Sequence, residues 1–212
     1  MLSTTTRRVG VFIDVQNMYY SARNLFNRKV NFATIVKEAV GDAQLIRAIA
    51  YTISTKGGEE EPFFEALRNN GIEVKSKELQ EFNSGVKKGD WDVGITVDII
   101  RMLDMLDVIV IVSGDGDYIP LVHFIQSRGR IVQVASFRET TSSNLVSACD
   151  EYLNLSENKR KFLIMDRQGH IKKNEKSAPA PTDKINPFIP KAGEFDHSSA
   201  FSDKQIDDLG II

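Results

Sequence analysis

Cysteine is almost missing from this sequence: Cys149 is the single one in 212 residues. That excludes a disulfide framework and any zinc site built on several thiolates, and it fits a reducing compartment. Histidine is scarce as well. His123, His170 and His197 are widely separated, which leaves no histidine triad and no histidine-based zinc site. No apolar run approaches the roughly 18 residues that a membrane-spanning helix needs, and the opening MLSTTTRRVG carries no apolar stretch of the signal-peptide kind. The expectation is a soluble, cytoplasmic protein without a membrane partner. A charge excess is also lacking. With 27 basic and 29 acidic residues and a formal charge of −2, the total field neither demands nor excludes a polyanion. Nothing in the sequence fixes an oligomeric state.

What is present is an ordinary globular composition, 42% hydrophobic and 26% charged. The length suits one domain plus an appendage. Residues 9–14 (VGVFID) read as a strand buried on both faces, with a short helix over Tyr19 to Phe26. Strands are predicted over 45–53, 72–77, 107–113 and 131–136. Helices are predicted over 59–70, which has acidic residues and Pro62 in its first turn and stops at Asn70-Gly71, over 92–106, over 118–128 and over 142–153. This alternation predicts an α/β fold with a mostly parallel five-stranded sheet and helices on both faces. In such sheets, sites gather outside the carboxyl ends of the strands.

From about residue 157 the composition shifts. Four of the six prolines fall in residues 179–190. The reading is a folded domain over 1–156 and a flexible linker and tail over 157–212, whose last stretch, Phe201 to Ile212, is a possible segment for contacting a protein partner.

No glycine-rich phosphate loop follows the first strand. The chemistry-bearing pattern is acidic. Asp14 ends the first strand, Asp90 and Asp92 open the helix over 92–106, and Asp115 and Asp117 follow the strand over 107–113. If the first and fourth strands are neighbours at the switch point, these carboxylates converge on one edge. Carboxylates that share a site repel unless a cation lies among them, and hard oxygen donors favour Mg²⁺ or Mn²⁺. Each residue taken alone also has a plainer reading. Asp92 or Asp117 could be a helix cap, and Asp14 and Asn17 could be turn residues. Asp98, six positions after Asp92, points elsewhere on a regular helix.

Three stretches in this order, VGVFIDVQN at 9–17, KKGDWDVGITVDII at 87–100 and IVIVSGDGDYIPLV at 109–122, closely resemble the NYN domain family of the PIN-like nucleases, in particular its LabA-like (DUF88) branch. The resemblance covers roughly residues 8–153. It implies a three-layer PIN-like fold, Mg²⁺ or Mn²⁺ in an acidic cleft, and endoribonuclease activity or RNA binding. By motif, Asp14 and Asn17 match the residues ending and following the first strand. Asp92 matches the acidic residue of the central stretch, Asp98 its later aspartate, and Asp115 and Asp117 the paired aspartates. Many members carry lysine-glycine-apolar-aspartate where this chain has Lys88-Gly89-Asp90-Trp91-Asp92. Asp92 is favoured over Asp90 because VGITVDII follows it in phase.

The expected function is metal-dependent hydrolysis of phosphodiester bonds in single-stranded RNA. Asp14, Asp92, Asp115 and Asp117 are the expected metal ligands and catalytic groups together with Asn17, and Asp90 and Asp98 rank below them. Lys87, Lys88, Trp91 and Tyr118 are the expected contacts to RNA. The alternatives are a non-cleaving RNA- or protein-binding regulatory module on the same fold, and a small metal-dependent phosphatase or nucleotide hydrolase.

Overall fold

The computed structural model describes residues 6–54, 58–78, 80–81, 87–88 and 90–164. Six strands form one sheet: β1 (Arg8–Asp14), β2 (Gln44–Ser54), β3 (Glu73–Glu78), β4 (Val108–Val112), β5 (Ile131–Ser136) and β6 (Glu151–Asn154). Their order is β3-β2-β1-β4-β5-β6, and every neighbouring pair is parallel. The chain therefore starts in the middle, builds outward to one edge, and crosses over to build outward to the other. The crevice where the order reverses lies between β1 and β4, beyond their carboxyl ends.

Among the described residues seven helices accompany the sheet: α1 (Val15–Phe26), α2 (Phe32–Val40), α3 (Glu61–Asn69), α4 (Asp92–Met102), α5 (Ile119–Ser127), α6 (Ser143–Ala148) and α7 (Lys159–Phe162). The central strands alternate strictly between faces, as a pleated strand must. Val9, Val11 and Ile13 of β1 and Val110 and Val112 of β4 pack with Met18 of α1 and Ile35 of α2. Phe12, Ile109 and Ile111 point the other way, onto Ile95 and Ile99 of α4 and Val122 and Ile125 of α5. Two cores thus clamp β1 and β4 from both sides and fix where their last residues emerge.

The sheet has six strands rather than five. The expected helix over 142–153 ends at Ala148, and Glu151–Asn154 pairs with β5 instead. Asp150 marks the break, its carboxylate accepting from the backbone N–H of Val132 at 2.8 Å. Packing also runs past the expected boundary at 156. Phe162 and Leu163 are buried, and Leu163–Ile164 pairs antiparallel with Lys29–Val30. The expected tail beyond Ile164 lies outside the described residues. Among them no helix is long and apolar enough to cross a membrane.

Candidate functional site at the switch point

Asp14 is the last residue of β1 and the N-cap of α1, its Oδ1 accepting from the backbone N–H of Asn17 at 3.0 Å. It is a helix cap, as a short acidic side chain at that position should be. It also stands at the crevice. Asn17, one turn into the helix, turns its own Oδ1 to the backbone N–H of Gly114 at 2.9 Å. That bond joins the end of β1 to the loop after β4.

The loop itself is tightly held. Gly114 is packed so closely against Thr140 and Thr141 that a Cβ there would stand 2.9 Å from the Thr140 carbonyl oxygen, and its own carbonyl accepts from Ser142 N–H at 3.0 Å. Asp115 follows with its Oδ1 accepting from Asp117 N–H at 3.0 Å, which caps the short turn Gly116–Tyr118. From the other face of the sheet, Asp92 opens α4 and accepts a hydrogen bond from the Tyr118 hydroxyl at 3.1 Å.

The electrostatics show which carboxylates share the crevice. Burial pushes Asp14 up to about 7, with the charges of Asp92 and Asp115 adding to it against the opposing Asn17 N–H. Asp92 is also raised, first by burial and then by Asp115, Asp90 and Asp117, while the Tyr118 hydroxyl bond works in the opposite direction. Tyr118 is raised by its burial and by Asp14, Asp92 and Asp115 around it. Asp14, Asp92 and Asp115 are therefore one interacting group, with Asp117 exposed at its rim.

Several expected residues are placed otherwise. Asp98 is engaged in the sheet, accepting from Tyr51 Oη at 2.9 Å and from Lys75 Nζ at 2.6 Å. Asp90 is exposed, and its backbone carbonyl accepts from Lys77 Nζ. Tyr118 is 2% exposed, so its ring offers no face to a base and its part is the hydroxyl bond to Asp92. Trp91 is pinned: its indole N–H donates to the Thr52 carbonyl at 2.6 Å, the Lys77 ammonium sits 4.1 Å from its ring centroid, and Gly94 leaves room for its edge. The backbone of Lys87–Lys88 pairs with Gln80–Glu81; the side chains of Lys87 and Lys88 lie outside the described residues. Sequence reasoning missed the supporting loop Arg138–Ser142, which gave no motif because its role is carried by backbone contacts to Gly114 and by Thr140 Oγ1 donating to Ser21 Oγ at 2.9 Å.

The chemistry of this donor set suits a hard divalent cation. Asp115 raises both Asp14 and Asp92, and Asp92 raises Asp14; together the three carboxylates offer oxygen donors and a charge excess that a cation relieves. Among the described residues no three His, Cys, Asp or Glu side chains already form a closed metal-binding group, so the carboxylates line the crevice without forming a finished cage.

The NYN domain family model matches residues 8–156. The chain is 26% identical to the low amplitude and bright protein LabA of Synechococcus elongatus over 183 residues, covering 81% of this chain and 91% of that one. A crystal structure of a Vibrio parahaemolyticus protein of unknown function superimposes with a TM-score of 0.70 at 32% identity, covering 77% of this chain and all of that one.

Proposed function

Because the chain belongs to the NYN domain family, whose PIN-like domains are generally dependent on divalent metals, we propose that it is a metal-dependent ribonuclease that hydrolyses phosphodiester bonds of single-stranded RNA at the β1/β4 crevice. The observation that carries this reading is the convergence of Asp14, Asp92 and Asp115 from three separate chain segments, with Asp14 held near neutrality by burial and by the other two.

Asp14 and Asp115 are the residues that would hold Mg²⁺ or Mn²⁺, with Asp92 and Asp117 beside them. The bound ion would supply charge neutralisation at the phosphate and a water of lowered pKa. The protein's own groups do the positioning. Asn17 holds the Asp115 loop against α1 through Gly114. Tyr118 orients the Asp92 carboxylate by hydroxyl donation. Asp117, exposed at the rim, would accept a proton from the attacking water. The test is incubation of the purified full chain with labelled single-stranded RNA in Mn²⁺, in Mg²⁺ and in EDTA. Cutting is expected with the metals alone.

A further inference from the structure

Glu73, Lys75 and Lys77 alternate with Val74 and Ser76 along β3, and a pleated strand turns alternate side chains to one face. Their register partners on β2 are Ile49, Tyr51 and Ile53. Ile49 and Tyr51 belong to the core that holds Ile95 and Ile99 of α4, so this is the face that α4 covers. Glu73 is paired with Arg47, and Lys75 with Asp98 at 2.6 Å. Lys77, nearest the carboxyl end of the strand, has different surroundings. Its Nζ donates to the Asp90 carbonyl at 3.1 Å and lies 4.1 Å from the centroid of the Trp91 ring. Among the described residues no carboxylate, that of Asp90 included, comes within ion-pair distance of it. Lys77 is exposed and is held in place without being neutralised, and an ammonium has three N–H donors where the Asp90 carbonyl takes one.

The sheet register relates this cation to the acidic crevice. Asp14 of β1 is level with Tyr51 of β2, and Tyr51 with Lys75 of β3. Lys77 is therefore two strands across from Asp14, about 10 Å, and two residues further along, about 7 Å beyond that row at the carboxyl edge. Phe12, two residues before Asp14, shares the core of Tyr51 and α4, so Asp14 and Lys77 leave the sheet on the same face. Trp91 stands between them, its indole N–H on the Thr52 carbonyl of β2. The next residue is Asp92, which reaches the crevice, and the Asp90 carbonyl that holds Lys77 is two residues before it. A polyanion entering a crevice of three carboxylates is repelled. A bound divalent ion would offset that repulsion at the phosphate it touches, and the neighbouring phosphate needs a cation of its own. A lysine ammonium, a compact point charge, suits that contact.

We propose that Lys77 is a substrate-contacting residue whose ammonium binds a phosphate of the single-stranded RNA flanking the cleaved bond, where the strand leaves the crevice over the carboxyl ends of β2 and β3. This rests on the reading of the crevice as an RNA-cleaving site and names a side chain by which the strand is held there.

The experiment measures binding of a fluorescent single-stranded oligouridine by anisotropy over a range of salt, with full-length protein carrying Asp14→Asn so that the strand stays intact. Adding Lys77→Gln should raise Kd about tenfold at low salt, as the loss of one hydrogen bond to a charged group does. One phosphate fewer neutralised should also make the slope of log affinity against log salt shallower by about 0.7. Lys77→Arg keeps the charge and should restore the slope and most of the affinity. Lys37→Gln removes another exposed cation, from α2 on the opposite face of the sheet, and should leave Kd and slope as in the parent. Binding by Lys77→Gln equal to that of the Asp14→Asn parent, Lys77→Arg no better than Lys77→Gln, or an equal loss from Lys37→Gln overturns the contact. Each of these leaves intact the cleavage reading, which the metal-dependent cutting of the unaltered protein decides separately. No oligouridine binding by the parent overturns the contact as well.

Discussion

Asn17 Oδ1 accepts a hydrogen bond from the backbone N–H of Gly114 at 2.9 Å, bridging 97 residues of sequence. The bond ties the helix that Asp14 caps to the loop that carries Asp115, so the spacing of these two carboxylates depends on an amide side chain that is itself only a positioning residue. Asn17→Ala leaves a partly buried N–H without its partner, which costs about 1–3 kcal/mol. Denaturant melts should show that loss. RNA cleavage should fall by more than stability alone explains, measured under conditions where the variant remains folded.

The raised pKa of Asp14 has a definite sign for stability. The folded protein keeps a proton on Asp14 that the unfolded chain gives up near about 3.9, so stability falls as pH rises from there to about 7 and stays lower above it. Asp14→Asn cannot titrate and still caps α1. Metal-free melts across pH 4 to 8 should therefore show the variant as stable as the wild type or more so at pH 8, with a flatter profile. A variant that melts well below wild type at pH 8 would mean that the Asp14 charge is structurally required.

Asp98 should separate from the crevice residues in experiment. Its carboxylate, 15% exposed, holds Lys75 and the Tyr51 hydroxyl between α4 and strands β2 and β3. Asp98→Asn should lower stability by about 1–3 kcal/mol and leave metal-dependent cleavage of RNA close to wild type. Cleavage abolished at unchanged stability would return Asp98 to the site.

The folded domain should end after Ile164. A chain stopped at Ile164 should keep the wild-type melting midpoint, whereas one stopped at Glu157 lacks the buried Phe162 and Leu163 and the strand that pairs with Lys29–Val30. Phe162→Ala in the full chain should cost about 3–5 kcal/mol, read from chemical denaturation.

Much of this is legible in the sequence because the signals are local and redundant. The apolar run of β4 and the buried β1 could hardly be anything but central parallel strands, and once they are neighbours Asp14 and Asp115 must emerge on the same edge. Helix geometry alone turns Asp98 to a different side of α4 from Asp92. The parts that escape depend on tertiary contacts. α2, with buried Phe32, Ile35 and Val36 behind its Asn31 cap, does carry a helical spacing that sequence reasoning passes over. β6 is four residues long and gains its pairing only because β5 offers an edge. Tyr118 and Trp91 look like stacking platforms because an aromatic beside a motif reads the same whether it faces solvent or, as Tyr118 does, points its hydroxyl at an aspartate.

The claim that Asp14, Asp92 and Asp115 make a metal-dependent nuclease is tested most directly by following one labelled single-stranded RNA with wild-type protein and Asp14→Asn side by side, in Mn²⁺ and in EDTA. Cleavage by the wild type in Mn²⁺, none in EDTA, and a loss of roughly a hundredfold or more in the variant is the expected result, since removing one ligand carboxylate disturbs both metal affinity and charge stabilisation. Cleavage that persists in EDTA, or that Asp14→Asn performs as fast as the wild type, would contradict it.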